Sequence, residues 1–103
     1  MKLLIQTALI AATVGLSAPA LANQALAQKS GCLACHAIDK KVVGPAYQDV
    51  AKKYAGNKEA AAALATKIRE GGGGVWGAIP MPANTQVNEA EAKKLVAWIL
   101  GLK

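Results

Sequence analysis

The sequence predicts one all-α domain built from short helices. Three observations carry that reading. No stretch shows the sustained period-two alternation of a half-buried strand. Several stretches are dense in strong helix formers. Gly, Pro and Asn separate those stretches, as breaks between short helices do.

The chain has 103 residues. Its opening, MKLLIQTALIAATVGLSAPALA, has the three parts of a secretory signal. Lys2 supplies the positive start, and Leu3 to Leu16 form a largely apolar run. Ala20-Leu21-Ala22 is a small-x-small cleavage site, and Ala25-Leu26-Ala27 is a second. The run falls short of the about 20 apolar residues of a spanning helix. Residues 1–22 are therefore expected to be removed, with Ser17 and Pro19 favouring an extended approach to the cut. No stable membrane insertion is expected afterwards. Residues 23–103 form the mature domain.

Within it, Asn23 to Ser30 is rich in Ala, Leu and Gln and suits a helix. Gly44-Pro45 is a break, and Pro45 is suited to open a helix over Ala46 to Ala55. Gly56-Asn57 ends that helix, and Asn57 is placed to cap the next, with Glu59 in its first turn. Ala60 to Glu70 follows, with Leu64 and Ile68 on one stripe. Four glycines, Gly71 to Gly74, stop it. Residues 71 to 87 then contain Gly77, Pro80 and Pro82 and cannot be helical throughout. A loop this long in so small a domain is commonly functional. The last helix is expected from Asn88, with Glu91 completing a capping box. Ala92, Leu95, Trp98, Ile99 and Leu102 give it a buried face.

Composition limits how such a domain holds together. The 81 residues after Ala22 contain no Phe and few aromatics. A domain this small usually needs a disulfide, a metal or a covalent cofactor. The formal charge is +6, of which Lys2 carries one unit. An exported protein seldom meets nucleic acid, so an acidic partner protein fits this charge better. A merely solvated basic surface fits it too.

Cys32-Leu33-Ala34-Cys35-His36 matches C-x-x-C-H, the attachment motif for c-type haem. Thiols three residues apart on one helical turn can add to two vinyl groups on one porphyrin edge. His36, the only histidine, then projects its imidazole toward the iron. A disulfide would also account for two exported cysteines. A thioredoxin-like dithiol requires βαβ surroundings, and zinc usually requires four ligands where three Cys/His residues exist. After signal removal Met81 is the only methionine, 45 residues beyond His36 in the Gly/Pro loop. A thioether is a suitable sixth ligand that raises the potential. Pro80 and Pro82 flank it and restrict its backbone, reducing the entropy lost when it docks. The alternatives are a core-filling methionine or an open axial site suited to gas binding or peroxidase-like reaction.

The runs GCLACHAIDKKVVGPAYQDVAKKYAG, GVWGAIPMPAN and AKKLVAWILGLK resemble the small bacterial class I cytochromes c of the c-551/c-552 type. The resemblance covers essentially all of the mature chain. It implies four to five short helices wrapped around one covalent haem c, with the first and last helices crossing. It implies a monomeric periplasmic one-electron carrier rather than an enzyme. Such a carrier donates to a terminal reductase, oxidase or peroxidase. Cys32 and Cys35 match the thioether positions, and His36 and Met81 match the axial ligands. Pro45 matches the proline whose carbonyl accepts the other imidazole N–H, the kind of partner a ligating histidine needs. Trp76 matches a tryptophan whose indole reaches a haem propionate, and Asn84 a residue hydrogen-bonded near the methionine. Lys67 stands where relatives often carry arginine near a propionate, so a bidentate pair is lost. Ala27 replaces a bulky aromatic, implying looser packing of the terminal helices. Ala78 and Ala83 replace prolines, which leaves the methionine loop less restrained. Lys29, Lys40, Lys41, Lys52 and Lys53 are expected to ring the exposed haem edge.

Overall fold

The computed structural model describes residues 18–103, with side chains from Asn23 onward. Most of the expected signal lies outside the described residues. Four α-helices follow: α1 Ala18–Lys29, α2 Tyr47–Lys53, α3 Ala60–Glu70 and α4 Glu89–Leu100. Among the described residues the only strand-like pairings are two isolated antiparallel bridges, His36 with Lys41 and Gly72 with Met81.

The helix starts differ from expectation for identifiable reasons. Helix α1 begins at Ala18, ahead of Asn23. Pro19 falls in its first turn, where no intrahelical N–H is required, rather than in an extended segment. The C-x-x-C segment is a 3-10 turn, Cys32–Ala34, instead of an α-helical one. Cys35 N and His36 N both donate to Cys32 O, at 3.2 and 3.0 Å. Helix α2 begins at Tyr47, with Ala46 as an extended N-cap. The Pro45 carbonyl is engaged by His36, so the ladder opens on Ala46 O, which accepts from Asp49 N and Val50 N. A turn at residues 54–56 replaces the expected continuation to Ala55.

Asn57 acts one turn earlier than a helix cap. Its side-chain oxygen accepts from Glu59 N at 3.0 Å, and Glu59 is itself the N-cap of α3. The expected capping box of α4 is complete. Asn88 Oδ1 accepts from Glu91 N at 2.8 Å, and Glu91 Oε1 accepts from Asn88 N at 3.1 Å. Two of the orphan donors at the helix start are thereby satisfied.

Helix α4 is the hub of the packing, touching α1, α2 and α3. Its buried residues are Ala92, Leu95, Val96, Trp98 and Ile99, so Val96 joins the expected face and Leu102 is only half-buried. Tyr47 of α2 meets Trp98 edge to face at 5.6 Å between ring centroids, a favoured aromatic geometry. Ile68 and Ala65 come from α3. Ala27 of α1 is completely buried in this cluster, so its small side chain leaves no exposed gap. Val87, at the end of the long loop, is also in the core.

Asn88→Ala removes one partner from each bond of the capping box. It is expected to cost about 1 kcal/mol of stability. Denaturant unfolding of the haem-bound protein measures this as a lower midpoint at unchanged slope.

Candidate functional site

Residues distant in sequence converge on one cavity of about 220 Å³. Cys32, Cys35, His36, Pro45, Lys67, Trp76 and Met81 all line it. Asn84 does not. Leu64 and Ile68 of α3, Leu95, Val96 and Ile99 of α4, and Val75 and Ile79 of the loop supply apolar wall.

The first wall is built by the segment after α1. Cys35 O accepts from both Val43 N, at 3.1 Å, and Gly44 N, at 2.7 Å, closing residues 35–44 into a loop. Tyr47 N donates to Ala37 O and Gln48 N to Ile38 O, both at 2.9 Å, which fastens the start of α2 to the residues after the motif. His36 is held within this frame. Its Nδ1 lies 2.8 Å from Pro45 O. A carbonyl only accepts, so Nδ1 carries the proton, and in the neutral imidazole Nε2 is the nitrogen with the lone pair. The Tyr47 ring stacks on the imidazole at 4.8 Å, with planes 19° apart.

Gly44 also packs closely against that ring. A β-carbon placed there would lie 2.6 Å from His36 Cε1 and 2.9 Å from Nδ1. Sequence reasoning treats Gly44 as a chain break and Tyr47 as a helix residue. Both are also packing surfaces for the histidine, a role visible only once residues 36 and 44–47 are folded together.

The two thiols are half-buried and are not joined to each other. Burial raises the Cys32 pKa, opposed by a hydrogen bond with Tyr47. Burial likewise pushes the Tyr47 hydroxyl strongly upward, with the Cys32 charge as the next cause. Tyr47 therefore stays neutral at physiological pH.

The second wall is the long loop. Gly71 ends α3 at φ +79° and ψ −178°, a conformation essentially confined to glycine. A β-carbon there would also come 2.7 Å from Met81 O. The loop neck is closed by two bonds, Gly72 N to Met81 O at 3.1 Å and Met81 N to Gly72 O at 2.7 Å. Met81 is half-buried against the core and faces the cavity. Asn84 lies behind it, and its side-chain amide donates to Ile68 O at 3.0 Å and Pro82 O at 3.4 Å.

Trp76 is 40% exposed, and its indole N–H makes no hydrogen bond among the described residues. Lys53 Nζ sits 5.6 Å from its ring centroid, within cation–π range. Lys67 lies along Gly72. All five lysines of the expected ring are exposed, but only Lys41 lines the cavity and only Lys53 meets its rim through Trp76.

These residues suit a large flat apolar group. The wall residues Val43, Val75 and Ile79 combine cavity lining with 47%, 45% and 69% exposure, so the fold leaves apolar surface for such a group to cover. Two thiols and an imidazole with a free lone pair line the same space. The fold and the site together define a small helical protein that carries covalent haem c on Cys32 and Cys35.

The comparisons with known proteins make this specific. The cytochrome c family model matches residues 18–103, and the chain belongs to that family. It is 56% identical over 95 residues to cytochrome c-552 of Hydrogenobacter thermophilus, covering 92% of this chain and 96% of that protein. Cytochrome c-551 of Allochromatium vinosum is 54% identical, covering 81% and 88%. The crystal structure of wild-type Nitrosomonas europaea cytochrome c552 superposes with a TM-score of 0.76 at 55% identity, covering 78% of this chain and 99% of that one. The chain is a small haem electron carrier of the c-551/c-552 type. Among the described residues no helix is long and apolar enough to cross a membrane.

Gly44→Ala is expected to force the imidazole from its place. Gly44 has no left-handed φ, so the effect is overpacking alone, about 1–3 kcal/mol. Thermal unfolding beside Gly101→Ala measures it, because Gly101 has a φ of −86° and its added carbon meets nothing closer than 3.4 Å.

Proposed function

We propose that this protein is a monomeric periplasmic carrier that delivers single electrons to a terminal reductase, oxidase or peroxidase. His36 and Met81 would hold the haem iron. The observation that carries this reading is the shared cavity. A histidine with a free Nε2 and the only methionine of the mature domain line it together, although 45 residues separate them.

Haem c, when bound, supplies an iron that takes up or releases one electron. The protein's own groups hold and tune it. Cys32 and Cys35 anchor one edge covalently. Pro45 O keeps the proton on His36 Nδ1 and directs Nε2 to the metal. Met81 offers a soft thioether, which favours the reduced state, and the apolar wall disfavours added positive charge. Trp76 has its indole N–H free for a propionate, and Lys67 can add a point charge there. Asn84 acts on the Met81 loop from behind rather than through the cavity. No substrate bond is made or broken. Residues 1–22 supply the export signal that brings the chain to the periplasm.

Basic side chains at the rim favour an acidic docking face. Lys41 and Lys53 do this most directly, and Lys29, Lys40 and Lys52 extend the positive field. A rival reading is an open iron site for gas binding, and Met81 decides between the two.

Met81→Ala is expected to keep the haem covalently attached through denaturing extraction. It should abolish the weak red methionine-to-ferric band, lower the reduction potential and let carbon monoxide bind the reduced protein. A wild-type protein that itself binds carbon monoxide at neutral pH would support the rival. The rate of electron transfer to an acidic partner is expected to fall by about tenfold or more from low to physiological salt. A rate independent of salt would remove the docking role of the lysines.

A further inference from the structure

The segment that follows Met81 is tied to the ends of two helices. Asn84 backbone and side-chain N–H groups both donate to Ile68 O, each at 3.0 Å, near the end of α3. Gln86 Nε2 donates to Ser30 O at 2.9 Å, just past the end of α1. Val87 then plugs into the core, and Arg69 Nε reaches its carbonyl at 3.4 Å.

The Gln86 bond differs from the others in what it joins. It spans 56 residues and connects the chain five residues after Met81 to the chain two residues before Cys32. Ser30 is only 8% exposed, and Gln86 gives its carbonyl the one hydrogen bond it receives among the described residues. Carbonyls at a helix C-terminus have no intrahelical donor. Losing this partner leaves an acceptor of a buried residue without its protein donor, which costs more than losing a fully exposed bond. The tie is therefore strongest when the methionine loop lies in its observed place.

We propose that Gln86 is a positioning residue that keeps Met81 on the iron by fastening the exit of the methionine loop to the haem-attachment segment. The proposal rests on Met81 being the axial ligand. In the state with Met81 withdrawn, the loop exit shifts away from Ser30 and the bond opens. Removing it thus raises the share of molecules whose sixth position is free, through an exposed side chain outside the cavity lining. Gln86→Glu keeps the shape but replaces the donor by an oxygen facing a carbonyl oxygen, so it should act at least as strongly.

Cyanide entry into the ferric haem-bound protein tests this, because it requires the methionine to leave. Gln86→Ala and Gln86→Glu are expected to bind cyanide at least about fivefold faster than wild type, the factor equivalent to about 1 kcal/mol. The red methionine band should persist at rest. Ala92→Gly, a change in the α4 core that lines no part of the cavity, gives the control for general stability loss. Gln86 variants whose cyanide rates equal wild type, or match Ala92→Gly at similar stability loss, overturn the proposal. A wild-type ferric protein that lacks the red band overturns the Met81 reading first, and a band with unchanged Gln86 rates overturns this one alone.

Discussion

Everything in this fold is arranged around bringing a histidine and a methionine, 45 residues apart, to one cavity that the chain does not fill by itself. The core supplies few large apolar side chains, and its two buried aromatics, Tyr47 at the cavity wall and Trp98, meet edge to face. So small a domain closes on a limited area of its own surface, and a covalent apolar group is the staple that completes it. Haem is thus a structural element as well as the redox centre.

The two walls are held by different physics. On the histidine side the hydrogen bonds are local. Cys35 O gathers two amides, Pro45 O accepts a hydrogen bond from the imidazole Nδ1–H, and Gly44 and Tyr47 both pack against the ring. This wall is built within about one dozen residues, so little loop-closure entropy is spent on it. On the methionine side the two arms of the loop neck pair at Gly72 and Met81. Its residues between are exposed, and its order is borrowed from α3 through Asn84 and from α1 through Gln86. The position of Met81 therefore depends on distant anchors, whereas that of His36 depends on its neighbours.

A solved relative at 55% identity shares this architecture over nearly its whole length. Ala27 is completely buried where a larger aromatic was expected from the resemblance. Small side chains let helices approach closely, so a smaller residue at a helix junction need not leave a void. Lys67, where the resemblance implies arginine, places a charge at the cavity without the planar fork of a guanidinium.

Much of this was legible in the residues themselves. Local chemistry sets the helix α4 start, since Asn88 and Glu91 cap each other within one turn. It also sets the stop at Gly71 and the C-x-x-C-H motif, because those signals act between near neighbours. Tertiary structure decided what neighbours in sequence cannot express. The C-x-x-C turn is 3-10, and α2 opens at Tyr47 because Pro45 O serves the histidine instead of the helix. The roles of Gly44 and Gln86 have no local signature: a glycine beside a proline reads as a break, and a glutamine in a loop reads as solvent-facing. Each acquires its function only from the partner that folding brings within reach, an imidazole in one case and a buried carbonyl in the other.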